Sequence, residues 1–171
     1  MESKLIILRG NSGSGKTTIA KTLQAYFGEG TLLVSQDLIR RNMLLARDKK
    51  GNLSIELIKQ ITEYGKGKCQ YVILEGILSS SRYKDMLLDV TRYYENNTYT
   101  YYFDLSFEET VRRHSSREKA AKFGEEALRE WWNAGDYLNV DGETLFTDDM
   151  TKEDILGVIL DQLEVQKTSL K

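Results

Sequence analysis

Apolar and polar positions divide the chain into short hydrophobic runs alternating with longer periodic stretches. Lys4–Arg9 (KLIILR) is a compact apolar run that reads as a strand buried on both faces. A glycine-rich stretch, Gly10–Gly15, follows it. From Lys16 the period becomes helical, with Ile19, Leu23 and Phe27 four apart on one face and Gly28 as the stop. Thr31–Ser35 and Tyr71–Leu78 read as the second and third buried strands. Tyr99–Leu105 is a fourth, its aromatic residues suited to a pleated surface. Helices are predicted over Asp37–Arg47, Leu53–Tyr64 and Ser81–Glu95. Ser106, with Glu109 three residues on, is a capping-box pattern that opens an interrupted helix toward Trp132. Glu143–Phe146 reads as a short fifth strand. Thr151 with Asp154 is a second capping box, opening a last helix with Ile155, Ile159 and Leu163 on its apolar face. From about Gln166 the chain is expected to fray.

Strands alternating with helices predict an α/β fold: a mainly parallel sheet of about five strands with helices on both sides. The 171 residues fit one domain, 1–171, with residues 112–124 as a short lid. Ligands of such sheets sit at the carboxyl ends of the strands, where every motif below falls.

Composition narrows the function classes. Twenty-four basic against 26 acidic residues give a net charge of -2, which argues against a broad nucleic-acid footprint but leaves room for a local basic patch. The single cysteine, Cys69, rules out an internal disulfide and reads as a small buried hydrophobe. The single histidine, His114, rules out a histidine metal cluster. The apolar run Leu5–Leu8 is too short for a signal core or a membrane span, so a cytoplasmic protein without membrane contact is expected.

Gly10-Asn11-Ser12-Gly13-Ser14-Gly15-Lys16-Thr17 fits G-x-x-x-x-G-K-[ST] in full, between a buried strand and an amphipathic helix. The glycines let the backbone turn so that its N–H groups form an anion nest, and the following helix adds its positive N-terminus. Lys16 is expected on the β- and γ-phosphates and the Thr17 hydroxyl on Mg²⁺. With Thr18 beside them, these residues are the candidate binders of a nucleoside triphosphate.

Two acids follow at strand ends. Asp37 has two readings: a cap for the next helix, or a general base that takes the proton of a hydroxyl acceptor. Arg40 and Arg41 lie on the next turn, as ligands of an acceptor or as a solvated face. Glu75 ends the third strand; a buried carboxylate needs a partner, whether a metal, a substrate hydroxyl or an arginine. Gly76 would let a ligand approach the backbone. The densest positive run is Arg112-Arg113-His114-Ser115-Ser116-Arg117, with Lys119 and Lys122 beyond it. Arg113 and Arg117 share a helix face, and the segment reads as a lid over phosphates or as a solvated helix paired to Glu108, Glu109 and Glu118. Of Trp131 and Trp132, one is expected in the core, leaving the other free to stack on a ring.

The stretches GNSGSGKTTIAKTL, LLVSQDLIRR, YVILEG and RRHSSR together resemble the P-loop kinases of the nucleoside-monophosphate-kinase-like group, above all the zeta-toxin and chloramphenicol-phosphotransferase type. The resemblance implies a P-loop NTPase three-layer αβα sandwich, with ATP and Mg²⁺ as cofactors. It implies Lys16 and Thr17 for phosphate and Mg²⁺, Asp37 as base, and Arg113 and Arg117 in the lid. Together with the residue readings above, the catalytic candidates are Lys16, Asp37, Arg113 and Arg117, the substrate candidates Asp37, Arg40, Glu75 and Gly76, and the metal candidates Thr17 and Glu75. The resemblance implies a phosphotransferase acting on a hydroxyl of a small molecule, as a monomer or homodimer. Two alternatives stand beside it. A polynucleotide 5′-hydroxyl kinase would need a basic channel. A nucleotide-dependent switch specific for guanine would need an N-K-x-D motif, which the sequence lacks.

Overall fold

The computed structural model describes residues 1–115 and 125–164, with the side chains of His114 and Ser115 outside that description. Its centre is strand β1, Lys4–Gly10, in which Leu5, Ile6, Ile7 and Leu8 are all fully buried. A strand with water on neither face must be apolar on both, which is why KLIIL does not alternate. Around it lie β2 (Leu32–Ser35), β3 (Tyr71–Gly76), β4 (Thr98–Phe103) and β5 (Thr144–Phe146). The order is β2-β3-β1-β4-β5 and every pairing is parallel.

Helices cover both faces. On one, α1 (Lys16–Phe27) and α6 (Lys152–Gln162) bring Ile19, Leu23, Ile155 and Ile159 onto Ile6, Leu8 and Phe103. On the other, α2 (Ser54–Gly65) and α3 (Ser80–Tyr94) bring Ile58, Tyr83, Leu87 and Val90 onto Leu5, Ile7 and Leu74. Burying each such side chain is worth about 1.5–3 kcal/mol. Helix α4 (Phe107–Ser115) takes in the first residues of the expected lid, and α5 (Glu125–Glu130) begins just after its last.

Several expectations shift. The helix expected over Asp37–Arg47 is only a wide turn of π-type at Leu38–Met43. The third strand stops at Gly76, two residues early. Thr151 and Asp154 form the full capping box. Ser106 caps the N–H of Glu109 at 3.2 Å, but its own N–H goes to Asp148 and the Glu109 carboxylate goes to arginines. Cys69 is half-buried against the α2–α3 side of the core.

One buried charge ties these layers together. Arg9, the residue before Gly10, is fully buried. Its guanidinium donates to the Leu78 carbonyl at 3.1 and 3.2 Å, to the Asp136 carbonyl at 3.0 Å, and to the carboxylates of Asp136 (3.1 Å) and Glu143 (3.4 Å). Burial pulls the guanidinium below its ordinary value, and Asp136 and then Glu143 push it back up. Removing one member of a buried charge cluster strands the others. Arg9→Ala is therefore expected to lower unfolding stability in urea by about 3–5 kcal/mol. Arg92→Ala, which breaks the exposed pair with Asp89, is expected to cost less than about 1 kcal/mol.

Candidate active site

Parallel strands bring their carboxyl ends to one edge, and the phosphate loop, Asp37, Glu75 and Asp104 all lie there. The loop turns through Gly13 and Gly15 at φ of 83° and 108°, left-handed values that a side chain resists. Helix α1 then starts with no side chain capping it, so its first N–H groups are left for an anion. Lys16 is 6% exposed and folds back over the loop, donating to the Asn11 carbonyl at 2.6 Å and the Ser14 hydroxyl at 3.1 Å.

Register explains the second acid. Ser35 on β2 lies opposite Glu75 on β3, and Glu75 lies opposite Leu8 on β1. Neighbours in a parallel sheet share a face, and Leu8 faces α1. Glu75 is thus aimed at the start of α1, where it accepts from the Thr17 hydroxyl at 3.1 Å and the Ser35 hydroxyl at 2.5 Å. It is 3% exposed, and no cation pairs with it among the described residues. A buried carboxylate held by hydroxyls alone, next to a phosphate nest, is a donor set suited to Mg²⁺. No cluster of three His, Cys, Asp or Glu is present among the described residues to cage a metal with protein ligands alone. A cation at Thr17 and Glu75 would share its coordination with phosphate and water.

A cleft of about 690 Å³ opens from this point, lined by Ser12, Gly13, Lys16, Thr17, Asp37 and Glu75 among others. Asp37 does not cap the turn that follows it. Its carboxylate is 61% exposed and accepts from Arg40 at 3.3 Å and Arg41 at 3.2 Å. The two arginines then part. Arg41 lines the cleft, whereas Arg40 is largely buried and donates to the Ala46 carbonyl at 3.0 Å. Arg40, expected at the substrate, holds the turn in place. Gly76 lines the cleft as well, but the space a Cβ would need there belongs to Gln36, whose side-chain oxygen accepts from Leu78 N–H at 3.0 Å.

Arg113 reaches back to the phosphate loop, donating to the Ser14 carbonyl at 3.2 Å and the Met150 carbonyl at 3.3 Å. With Thr18, Phe103 and Lys152 it lines a smaller cavity of about 180 Å³ on the β4 side of the loop. Arg117, Lys119 and Lys122 lie outside the described residues, as does the fraying expected from Gln166. Asn11 turns its amide away to Asn133 in a reciprocal pair, at 2.8 and 2.9 Å. Trp132 packs edge-on against Phe107, and Trp131 lines the cleft. The sequence reading missed Arg9, Ser35, Gln36 and Asp136. Only Arg9 left a trace there, as a cation inside an apolar run.

Glu109 anchors Arg113. Hydrogen bonds from Arg112 and then from Arg113 hold its carboxyl down at about 2, from an ordinary 4.5. A carboxyl depressed in the folded state stabilises above its ordinary value and loses that contribution as pH falls through the depressed one. Wild type is therefore expected to exceed Glu109→Gln in stability at neutral pH. The two urea midpoints should converge between pH 4.5 and about 2.

Among curated proteins, none matches the sequence. Solved structures do match the fold. The APS kinase of Mycobacterium tuberculosis, in complex with AMPPNP and APS, has a TM-score of 0.66 over 95% of this chain and 98% of its own, at 16% identity. A gluconokinase from Sinorhizobium meliloti 1021 has a TM-score of 0.66 over 95% and 97%, at 12% identity. Shikimate kinase from Bacteroides thetaiotaomicron has a TM-score of 0.62 over 95% and 99%, at 18% identity. At these identities the likeness is one of fold, that of the P-loop small-molecule kinases. A family profile described as an AAA domain matches residues 5–135, from β1 through the phosphate loop, Asp37, Glu75 and Arg113. The chain belongs to the AAA domain family.

Proposed function

We propose that the protein is a phosphotransferase that moves the γ-phosphoryl of ATP, with Mg²⁺, to a hydroxyl of a small molecule. The observation that carries the reading is the meeting of Lys16, Thr17, Glu75 and Asp37 in one cleft at the strands' carboxyl ends. Phosphoryl transfer needs positioning and charge stabilisation more than covalent help, and these residues supply both. The loop N–H groups and Lys16 hold the β- and γ-phosphates. Thr17 and Glu75 would hold Mg²⁺, which would supply positive charge to offset that of the phosphates. Asp37 accepts the proton of the acceptor hydroxyl as its oxygen bonds to the γ-phosphorus and the bond to the β-phosphate oxygen breaks, releasing ADP. Arg41 orients the acceptor and Arg113 the nucleotide. The kinases of like fold include one solved with AMPPNP, which supports ATP as the donor.

No helix among the described residues is long and apolar enough to cross a membrane. A small-molecule acceptor also fits a cleft of this size, since ligand pockets of about 300–1,000 Å³ suit small compounds.

ADP release with Mg²⁺ across a panel of nucleosides, sugars, nucleotide sugars and antibiotics tests the reading. Asp37→Asn is expected to lose on the order of a hundredfold or more in kcat while ATP binding stays intact. Acceptor-independent hydrolysis that Asp37→Asn leaves unchanged would refute the role of Asp37. Ser35→Ala is expected to weaken the apparent Mg²⁺ affinity about tenfold, read as the Mg²⁺ concentration at half-maximal rate, since it frees Glu75 from its orienting hydroxyl.

A further inference from the structure

Just before Asp37, the end of the second strand is tied down by a side chain. β2 lies against β3 from Leu32 opposite Val72 to Ser35 opposite Glu75, where the register ends. One residue on, Gln36 is 3% exposed, and its Oε1 accepts from the buried Leu78 N–H at 3.0 Å. Its side chain packs close against Gly76: a Cβ on that glycine would stand 2.4 Å from Gln36 Oε1 and 2.6 Å from Gln36 Cβ.

Leu78 is in turn held from both sides. Its N–H goes to Gln36, and its carbonyl accepts from the Arg9 guanidinium at 3.1 and 3.2 Å. It is fully buried with φ of 43°, a left-handed value uncommon for a bulky side chain. Such backbone persists where its surroundings over-determine it. Through Leu78, Gln36 is connected to the buried charge that precedes the phosphate loop. The start of the Asp37 turn is thereby referenced to the strand that launches that loop.

The Asp37 side chain has no such tie of its own. Among the described residues its carboxylate meets only Arg40 and Arg41, both on the turn that it opens, and those contacts travel with the turn. Ile39 packs the turn into the α2–α3 side of the core, but apolar packing is non-directional. Two side-chain hydrogen bonds cross from the end of β2 to the β3 side. Ser35 reaches Glu75 itself, and Gln36, adjacent to Asp37, reaches Leu78. The first orients the acid; the second fixes where the turn begins.

We propose, resting on the kinase reading above, that Gln36 is a positioning residue for phosphoryl transfer: by locking the backbone in front of Asp37 to Leu78, it holds the base at the distance from the γ-phosphate that transfer needs. A misplacement of about 1 Å can cost about a hundredfold in rate, so losing the tie lowers kcat while nucleotide binding stays.

Two variants remove the bond in different ways. Gln36→Asn draws the acceptor back by one methylene, and Gln36→Met keeps the length without the acceptor oxygen. Phosphomonoester formation is followed with ATP, Mg²⁺ and whichever panel acceptor the wild type phosphorylates fastest. Both variants are expected to lower kcat about tenfold to a hundredfold, with the Kd for AMPPNP and Mg²⁺ within about twofold of wild type. In the Asp37→Asn background, Gln36→Met should change the residual rate by less than about twofold, because residues that act as a unit are non-additive. Equal losses with and without the Asp37 carboxylate would overturn the proposal and assign Gln36 to the fold alone. So would an unchanged kcat in both variants, or AMPPNP affinity lost together with kcat. A wild type that phosphorylates no acceptor would instead reject the kinase reading, and with it the base that Gln36 positions.

Discussion

A fully buried arginine at the end of the central strand is the constraint on which the rest of the site depends. Arg9 precedes the first glycine of the phosphate loop, and burial of its charge is tolerable only if carbonyls and carboxylates come to meet it. They come from the turn after β3 (Leu78) and from the stretch leading to β5 (Asp136 and Glu143). Those acids are in turn held: Asp136 accepts from the Ser80 N–H at 2.9 Å, and Glu143 from the N–H groups of Leu138 and Asn139. The strand that launches the phosphate loop, the helix that follows the second acid and the stretch leading to β5 are thereby fixed to one point.

From that frame the site follows by register. Because β2, β3 and β1 run parallel, Ser35, Glu75 and Leu8 fall side by side, and Glu75 is delivered to the mouth of α1. One residue later the sheet presents its other face, where Gly76 makes room for Gln36 and Arg9 meets its partners. The α1 face thus carries Glu75 beside the phosphate loop and the α3 face the ionic anchor. Asn11 joins the two, since it sits in the loop while its amide holds Asn133.

Much of this was legible in the sequence. The β1 run, the eight-residue phosphate motif and the apolar faces of α1 and α6 are local patterns whose physics does not depend on distant residues. Glu75 stood out because a carboxylate ending an apolar strand demands a partner, and the hydroxyls of Thr17 and Ser35 meet it. What stayed hidden depends on contacts across the fold. Arg40 and Arg41 are adjacent in sequence, and only the wide turn at Leu38–Met43 sends one to the Ala46 carbonyl and the other to the cleft. The Ser106 box failed in part because Asp148, 42 residues away, supplied a competing acceptor. Asp136 has no pattern of its own; its meaning comes from Arg9, 127 residues earlier.

The central claim is transfer, as distinct from mere hydrolysis of a nucleotide. Phosphorus NMR of ATP, Mg²⁺, protein and a hydroxyl acceptor separates the two directly. A new phosphomonoester resonance growing as the γ-phosphate signal falls, with no matching inorganic phosphate, is the predicted result. Inorganic phosphate alone with every acceptor, formed equally by Asp37→Asn, would contradict the account and point to a nucleotide-hydrolysing switch.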